Sequence, residues 1–369
     1  MKKDIVHIYS GTQGLGGLYL DEIYNTLLDF GFKQEIFVSH YFPFDYGKKI
    51  FFKRSDLASG AKKGKFRYYV RALELVFGLL KALIYIIFNR PKVINLSVNS
   101  AFFIDVYFIK AIKKFTSSKL IITCHDVIPF GESEEQVQNQ IRIRKKIFGL
   151  ADYLLVHNKN SIEDLKKNFQ IVDSKIIVHP FPLMNIAKIV QDSEDSKSKI
   201  YDFSFIGHLR ENKGIDILLE AWQMMHEKYP NADLLLAGNL PEDSKLNLNS
   251  LQENNINLQI KYLTDEEYYY YVKNSKNVVL PYRSGTNSGV VYNLVEMPVN
   301  IIYSDLPMFT NNPLLDVRGK FKTNNPTSLF KVMEQFYINK TEFKNPNTDN
   351  YKKSFDNSLF EVYSKIINQ

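Results

Sequence analysis

Short apolar runs alternate with amphipathic stretches along nearly the whole sequence, and this alternation limits the fold more than any other feature. A short apolar run suits a buried strand, whereas the stretches between the runs place apolar residues on one helical face. Such alternation predicts an α/β fold with a doubly wound parallel sheet. In the first half the predicted strands are Ile5–Tyr9, Gln34–Ser39, Val93–Ser97, Lys119–Cys124, Tyr153–His157 and Ile176–His179, and the predicted helices lie near 17–30, 69–88, 101–115, 137–149 and 159–168.

The same pattern starts again after a polar stretch, so two domains are predicted. A chain of 369 residues is also longer than one hydrophobic core usually organises. In the second half the predicted strands are Asp202–Ile206, Asp233–Ala237, Leu258–Tyr262, Asn277–Leu280 and Val299–Tyr303, and the predicted helices lie near 214–228, 264–274, 289–296, 326–338 and 354–367. The expected organisation is a Rossmann-like domain over 1–185, a linker over 186–200, a second Rossmann-like domain over 201–345, and a C-terminal helical segment over 346–369 that packs back on the first domain.

Charge and cysteine content limit the partners and the compartment. The formal net charge of +7 favours anionic partners, and no basic–aromatic motif indicates nucleic acid. The single cysteine, Cys124, excludes an internal disulfide and a zinc site built from cysteines, and it favours a reducing compartment. The first residues lack the long apolar core of a signal peptide. We therefore expect a cytoplasmic protein.

The segment Gly207–Gly214, which reads GHLRENKG, is the strongest site signal in the sequence. A buried strand precedes it and a helix follows it, so backbone N–H groups and the positive helix end converge near Arg210 and Lys213. Two cations at such a place predict a site for a diphosphate. An interdomain salt site is the alternative.

Two further glycine-bearing loops lead from a predicted strand into a helix. In the loop Ser10–Gly17, Gly16 and Gly17 would let the backbone approach a ligand, although a tight turn without a ligand is the alternative. The loop after Leu280 ends at Ser288, a predicted N-cap followed by the free N–H groups of Gly289 and Val290. These two loops are predicted to contribute further contacts to a nucleotide.

Four more side chains are candidates for contacts to a nucleotide or sugar. His125 follows a buried strand, where it could bind a sugar hydroxyl or act as an acid–base group; a structural histidine is the alternative. Tyr262 and Leu263 follow another strand and could hold a base. Glu296 could accept ribose hydroxyls, or it could simply occupy a solvated helix face.

The predicted helix 69–88 is apolar around nearly all of its circumference. Glu74 and Lys81 within it argue against a membrane span. We expect the helix to be wedged between the sheet and a neighbouring element. The basic segment Lys62–Arg67 before it is predicted to suit contact with an anionic membrane surface.

Together these motifs resemble the GT-B glycosyltransferases, and within them the retaining enzymes of family 4. The resemblance rests on Gly207–Gly214, Leu280–Arg283 and Ser288–Val290, with Thr123–Asp126 and the Gly14–Gly17 loop in matching order. It covers nearly the whole chain. It implies two Rossmann-like doubly wound domains facing a central cleft, with the nucleotide sugar held mainly by the second domain.

The resemblance also implies residue roles. Arg210 and Lys213 would stabilise the departing diphosphate, so neither a metal ion nor a separate cofactor is expected. His125 would contact the transferred sugar. The remaining donor contacts would come from Gly16, Gly17, Tyr262, Leu263, Ser288, Gly289, Val290 and, for the ribose, Asn293 or Glu296.

The implied reaction moves a sugar, expected to be UDP-linked, to a growing surface glycan such as an O-antigen, capsule or exopolysaccharide unit. A lipid-linked acceptor and peripheral membrane contact at the inner face of the cell membrane belong to the same expectation. The chain departs from the family pattern because Ser288 stands where many members have the first of two glutamates, and because the segment Gly289–Pro298 is short. A non-hydrolysing nucleotide-sugar epimerase and a non-catalytic partner subunit of a glycosyltransferase are the alternatives.

Overall fold

A computed structural model describes residues 3–11, 15–53, 65–97, 102–128, 134–190, 200–241, 254–285, 288–339 and 348–369, without the side chains of 65–68. The chain divides into two compact units: Met1–Pro182 together with Lys352–Gln369, and Leu183–Tyr351. Each unit contains one parallel sheet. The predicted α/β, doubly wound fold class is confirmed.

The first unit is built on a seven-stranded sheet in the order β3-β2-β1-β4-β5-β6-β7. Its strands are β1 (Ile5–Tyr9), β2 (Gln34–Ser39), β3 (Lys48–Phe51), β4 (Val93–Ser97), β5 (Lys119–Thr123), β6 (Tyr153–Val156) and β7 (Ile176–Val178). Its helices are α1 (Gly16–Asp29), α2 (Lys65–Asn89), α3 (Phe103–Phe115), α4 (Glu134–Leu150) and α5 (Lys159–Phe169). The strand order reverses between β1 and β4, which makes their carboxyl ends the switch point where such sheets bind ligands.

Alternation along β1 divides the core of this unit between the two faces of the sheet. Val6 and Ile8 belong to the larger cluster, which includes side chains of α2 to α5. Tyr9 belongs to the smaller cluster with Leu20 of α1. Helix α11 (Thr348–Ile367) joins this unit from residue 352, where its Tyr363 is fully buried.

The second unit is built on a six-stranded sheet in the order β10-β9-β8-β11-β12-β13. Its strands are β8 (Tyr201–Ile206), β9 (Leu234–Gly238), β10 (Ile256–Ile260), β11 (Ser275–Leu280), β12 (Asn300–Ser304) and β13 (Lys320–Phe321). Its helices are α6 (Ile215–Lys228), α7 (Asp265–Lys273), α8 (Gly289–Leu294), α9 (Pro307–Thr310) and α10 (Pro326–Ile338). The switch point lies between β8 and β11, so the loops that leave these strands adjoin each other.

Two hydrogen bonds tie the segment after Pro182 to the second unit. The Met184 N–H donates to the Tyr292 carbonyl at 3.0 Å, and the Asn293 amide donates to the Met184 carbonyl at 2.7 Å. A short 3₁₀ turn, Ile186–Lys188, follows. Of the linker predicted over 186–200, residues 191–199 lie outside the described chain.

The structure departs from the sequence analysis at two strands and at one exposed helix face. Strands β3 and β13 were not predicted; β3 is short and carries exposed lysine, and β13 has only two residues. Helix α2 was expected to be wedged between the sheet and a neighbouring element, and it does contact strand β3 and helix α3. One of its faces is buried on Phe51 through Gly78, while the opposite face is exposed. The basic segment before it has no described side chains.

Candidate functional site

Backbone contacts alone fix the turn that leaves β8. Gly207 and Gly238 both have positive φ, of 149° and 143°, and a Cβ on Gly238 would lie 1.7 Å from the Gly207 carbonyl oxygen. The Leu209 N–H donates to the Asn239 carbonyl at 2.9 Å. The ends of β8 and β9 therefore hold each other at a distance that no side chain at Gly238 would permit.

The next part of the turn is fixed against the loop that leaves β11. The 3₁₀ turn Glu211–Lys213 ends at Gly214, the N-cap of α6, which has a φ of 67°. A Cβ on Gly214 would lie 2.0 Å from the Pro281 carbonyl oxygen. The Arg283 N–H donates to the Asn212 carbonyl at 2.9 Å. The two loops at the switch point thus form one backbone-to-backbone junction.

Lys213 and Arg210 lie at this junction. The Lys213 ammonium is 3.7 Å from the centre of the buried Tyr282 ring, a cation–π distance that orients the charge without neutralising it. Arg210 is exposed. Within the described residues neither cation forms an ion pair, whereas the neighbouring Arg283 pairs with Asp216. The site therefore has positive charge available for an anion.

Two rings lie beyond these cations. His208 follows Gly207, and its ring centre is 6.3 Å from that of Tyr262, which is 45% exposed after β10. Partial removal from water, followed by repulsion from Arg210 and Lys213, lowers the pKa of His208. Burial, followed by the charge of Asp265, raises the pKa of Tyr262. Both rings are uncharged near neutral pH. They offer flat surfaces close to each other, after strands β8 and β10.

The predicted residues around α8 are in two different environments. Ser288, Gly289 and Val290 are partly exposed at the start of this short helix. Glu296 is also partly exposed, but it lies in the turn after the helix rather than within it. Asn293 is fully buried, and its amide donates to a backbone carbonyl. A side chain with no exposed surface offers no face to a ribose, so that prediction is corrected in favour of Glu296.

In the first unit, the glycine loop is closed by the protein itself. A Cβ on Gly16 or on Gly11 would lie 2.1 Å from the Tyr9 hydroxyl, and a Cβ on Gly17 would lie 2.9 Å from Pro43. Residues 12–14 of the loop lie outside the described chain. The glycines at 16 and 17 are thus explained by the side chains packed against them. This geometry favours the tight-turn alternative over a ligand contact.

His125 lies in an aromatic cluster after β5. Its ring centre is 4.5 Å from Tyr19 and 5.7 Å from His157, and Phe181 completes the cluster at 4.7 Å from His157. Burial lowers the pKa of His125 to about 4, so its imidazole is neutral at physiological pH. Arg144 holds the adjoining backbone by donating to the carbonyls of Asp126 and Val127, the latter at 3.1 Å.

The sequence analysis did not select His157 or Tyr282, and the structure places both against predicted site residues. The His157 Nδ1 lies 3.1 Å from the His179 carbonyl. Because a carbonyl only accepts, Nδ1 carries the proton and the neutral ring keeps a lone pair on Nε2. This nitrogen and the Nε2 of His125 are both buried without a hydrogen-bond partner among the described residues. A histidine at the end of a predicted strand was the available signal.

Family models match both halves of the chain. Residues 188–342 match the model described as glycosyl transferases group 1. Residues 97–181 match the model described as the N-terminal domain of glucosyltransferase 3-like proteins. A curated relative, an uncharacterised glycosyltransferase of Methanocaldococcus jannaschii, is 32% identical over 125 residues. That match covers 31% of this chain and 29% of the relative's length.

Solved structures resemble the fold over nearly its full length. The catalytic domain of starch synthase IV from Arabidopsis thaliana, bound to ADP and acarbose, has a TM-score of 0.64 at 12% identity and covers 100% of both chains. The lipopolysaccharide outer core galactosyltransferase WaaB has a TM-score of 0.55 at 11% identity, covering 99% of this chain and 98% of that one. The UDP-GlcNAc 2-epimerase of Neisseria meningitidis, bound to UDP-GlcNAc, scores 0.52 at 11% identity, covering 99% and 100%.

These structural similarities show the fold, and the family models show which families the two halves of the chain match. The two parallel sheets are those of the GT-B structures, and the switch-point junction lies within the matched segment of the second unit. Residues 188–342 therefore match the group 1 glycosyl transferases, and the fold is the GT-B fold that the sequence motifs predict.

Proposed function

We propose that the chain transfers a sugar from a nucleoside diphosphate, UDP first among the candidates, to a growing glycan with retention of the anomeric configuration. The observation that carries the proposal is the pair Arg210 and Lys213, two cations without ion pairs in the described chain at the switch point of the second sheet. A diphosphate would supply the negative charge that pairs with these two cations.

Stabilisation of the leaving group is the main chemical contribution proposed for the site. When the bond between sugar and diphosphate breaks, negative charge grows on the diphosphate oxygens. Lys213, held over Tyr282, presents a fixed point charge, and Arg210 offers a planar fork of donors. Charges that are already oriented need little rearrangement as the reaction proceeds. We propose that they do this work without a metal ion.

Other contacts would orient the donor. Tyr262 and Leu263 would hold the base beside His208, and the partly exposed carboxylate of Glu296 would accept ribose hydroxyls. Ser288, Gly289 and Val290 would contribute backbone contacts to the phosphates. In the first unit, His125 would contact the transferred sugar as a neutral imidazole, because its pKa is near 4.

The proposed acceptor is a surface glycan, such as an O-antigen, capsule or exopolysaccharide unit, built on a lipid carrier at the inner face of the cell membrane. The formal net charge of +7 suits an anionic acceptor or surface. The likeness to a lipopolysaccharide galactosyltransferase is consistent with this setting, although at 11% identity it reports the fold alone.

Nucleotide binding is the first test. We would measure the melting temperature with UDP, GDP, ADP, CMP and dTDP, each with magnesium and with a chelator. A ligand that binds only the native state raises that temperature. We expect a rise with one diphosphate, unchanged by chelation and lost in Lys213→Ala. Lys228→Ala is the matched control, because Lys228 belongs to an exposed pair with Glu334. A response to no nucleotide would contradict the donor site and favour a non-catalytic partner subunit.

Product analysis then separates transfer from epimerisation. Incubation of the responding nucleotide sugar without an acceptor should leave its sugar unchanged, whereas an epimerase would convert it. With an acceptor, NMR of the new linkage should show the anomeric configuration of the donor. An inverted linkage would refute retention while leaving sugar transfer intact.

A further inference from the structure

Helix α2 carries a continuous row of large apolar side chains on its exposed face. They are spaced three or four residues apart, which places them on one side of a helix. The row, here called the α2 stripe, consists of Tyr69 (70% exposed), Leu73 (57%), Phe77 (60%), Leu80 (47%), Ile84 (56%) and Phe88 (82%). From Tyr69 to Phe88 it is about 28 Å long at the usual helical rise. Contiguous apolar surface of this extent marks an interaction site.

The stripe is not a core face that happens to be partly uncovered. The opposite side of α2 is the one packed on the unit, with Leu79, Ala82 and Ile86 buried. Gly78 brings that side against the Phe51 ring, 2.2 Å from where a Cβ would be. Since the buried side already anchors the helix, the stripe points away from the sheet of the first unit.

Helices α3 and α4 add positive charge beside this surface, because α3 packs on α2 and α4 packs on α3. A shallow pocket of about 440 Å³ lies between α3 and α4, and its polar lining consists of Tyr107, Lys110, Lys145 and Lys146. The Lys146 ammonium lies 5.3 Å from the Phe103 ring. Cations with aromatic rings beside an apolar row suit the boundary between lipid headgroups and acyl chains.

Acidic groups do not cancel this charge. The Asp105 carboxylate accepts the Phe102 N–H at 2.8 Å at the start of α3. Glu74 is partly buried on α2, while Lys81 at the edge of the stripe is exposed. Glu134 and Glu135 lie in the first turn of α4, at least two turns from the pocket lysines of that helix.

We propose that the α2 stripe and the lysines of α3 and α4 form a docking surface for an anionic lipid bilayer. Helix α2 would lie in the plane of the interface, with Phe77, Leu80 and Ile84 among the acyl chains and the lysines at the headgroups. None of the helices in the described chain is long and apolar enough to cross a membrane. A protein partner would explain the stripe equally well, but the lysines of the neighbouring helices α3 and α4 favour the bilayer. The inference goes beyond sugar transfer and stands without it.

Vesicle flotation tests the surface directly. The full chain would be mixed with vesicles of phosphatidylcholine alone, or with about one third phosphatidylglycerol. We expect binding to the anionic vesicles, weaker binding to the neutral ones, and a loss of about a hundredfold in Phe77→Ser/Leu80→Ser/Ile84→Ser. The matched control, Val172→Ser/Val317→Ser/Ile338→Ser, removes three apolar side chains that are equally exposed elsewhere and should bind like wild type.

A second pair of variants tests the contribution of the lysines separately from that of the α2 stripe. Lys110→Gln/Lys146→Gln should weaken binding to the anionic vesicles by about tenfold or more and change binding to the neutral ones little. Lys320→Gln/Lys322→Gln, two exposed lysines in the second unit, is the matched control. Equal binding of the stripe variant and wild type, or no binding by wild type, would overturn the proposal.

Light scattering tests the rival explanation, in which the α2 stripe is an interface between protein molecules. A wild-type dimer that the stripe variant converts to a monomer would also overturn the proposal. Failure of sugar transfer is distinguishable, because nucleotide binding and transfer to a soluble acceptor should be the same in the stripe variant as in wild type. Lys213→Ala, conversely, should float with the vesicles as wild type does.

Discussion

The two sheets each begin with a strand that runs into a glycine-bearing turn, yet the two turns differ in what surrounds the glycines. In the first unit the space beside Gly11 and Gly16 is filled by the side chain of Tyr9. In the second unit Gly214 faces the Pro281 carbonyl, and Lys213 beside it has no ion pair within the described residues. Glycine therefore marks close packing in both turns, but only the second turn leaves a charge available for a ligand.

The polar side chains near the two switch points also differ in charge. Around His125 the first unit gathers neutral rings whose pKa values are lowered by burial. The second unit has two exposed or partly exposed cations. Neutral imidazole suits a sugar hydroxyl, whereas cations suit a diphosphate. The two switch points therefore differ in the chemistry that they offer to a ligand.

The largest expected effect tests the backbone junction of the second turn. Gly214→Ala should lower the free energy of unfolding by more than about 3 kcal/mol, because its φ is 67° and the Pro281 carbonyl cannot give way as a side chain could. The fluorescence of Trp222, the single tryptophan, reports urea unfolding of this unit. Gly31→Ala in the first unit, with a φ of 82° and no atom near its Cβ, should cost only about 1 kcal/mol when urea unfolding is followed by circular dichroism. Equal costs would show that strain, rather than the junction, dominates.

Charge in the second turn is tested by Lys213→Ala. Turnover should fall about 100-fold, or about 2.7 kcal/mol of transition-state stabilisation, with the fold unchanged. Lys213→Arg should recover part of the loss, because the charge is restored but the contact with Tyr282 changes. Sugar-transfer kinetics with Lys228→Ala as the control provide the measurement. Full turnover in Lys213→Ala would remove the proposed difference between the two turns.

The first turn is tested by a double-mutant cycle. Gly16→Ala should cost about 2 kcal/mol of stability, because the new methyl group meets the Tyr9 ring. In a Tyr9→Leu background the same substitution should cost less than half as much, since the obstructing ring is gone. Urea denaturation followed by circular dichroism gives the four free energies. Additive costs would mean that Tyr9 does not explain the glycine, and a ligand role for this loop would regain support.

The smallest expected effect, counted per pH unit, is a pH dependence that arises mainly in the first unit. Burial lowers the pKa values of His7, His125 and His179 to about 4, against 6.5 when unfolded. Their unfolded forms therefore bind protons first as the pH falls. The associated stability is present above pH 6.5 and is lost towards pH 4, at about 1.4 kcal/mol per pH unit for each group. His125→Gln should make this decline shallower by roughly 1 kcal/mol per pH unit in urea unfolding. An unchanged slope would show that His125 is not buried as described.

The sequence predicted the sheets well because most strands are buried apolar runs. Strand β1, for example, lies at Ile5–Tyr9 as predicted, with all five residues buried. Strand β3 was missed because it is exposed at its start and lies at the sheet edge, so it lacks that signal. Helix α2 shows a different limit of prediction from sequence. A helix that is apolar all round does not reveal which face the fold covers.

The site could be predicted only in part, for a related reason. Turn glycines and adjacent cations can be read from local sequence, which is why Lys213 was selected. The positions of the Tyr282 ring under Lys213 and of the Tyr9 ring in the first glycine loop depend on tertiary contacts. Asn293 was misassigned because helix position alone does not show that its amide is already bonded to Met184. The donor roles proposed for the remaining residues stay predictions.

Helix α11 has a consequence for how the chain is made. The ring of Tyr363 lies 6.4 Å from that of His7, Phe355 packs edge-on to His179 at 4.7 Å, and the Thr26 hydroxyl donates to Asp356 at 3.0 Å. Synthesis on the ribosome delivers these partners only after the entire second unit. The second sheet can therefore fold while the first still exposes the surface that α11 covers. The first unit is therefore completed only after the second unit has been synthesised, and until then its surface for α11 stays open to a chaperone.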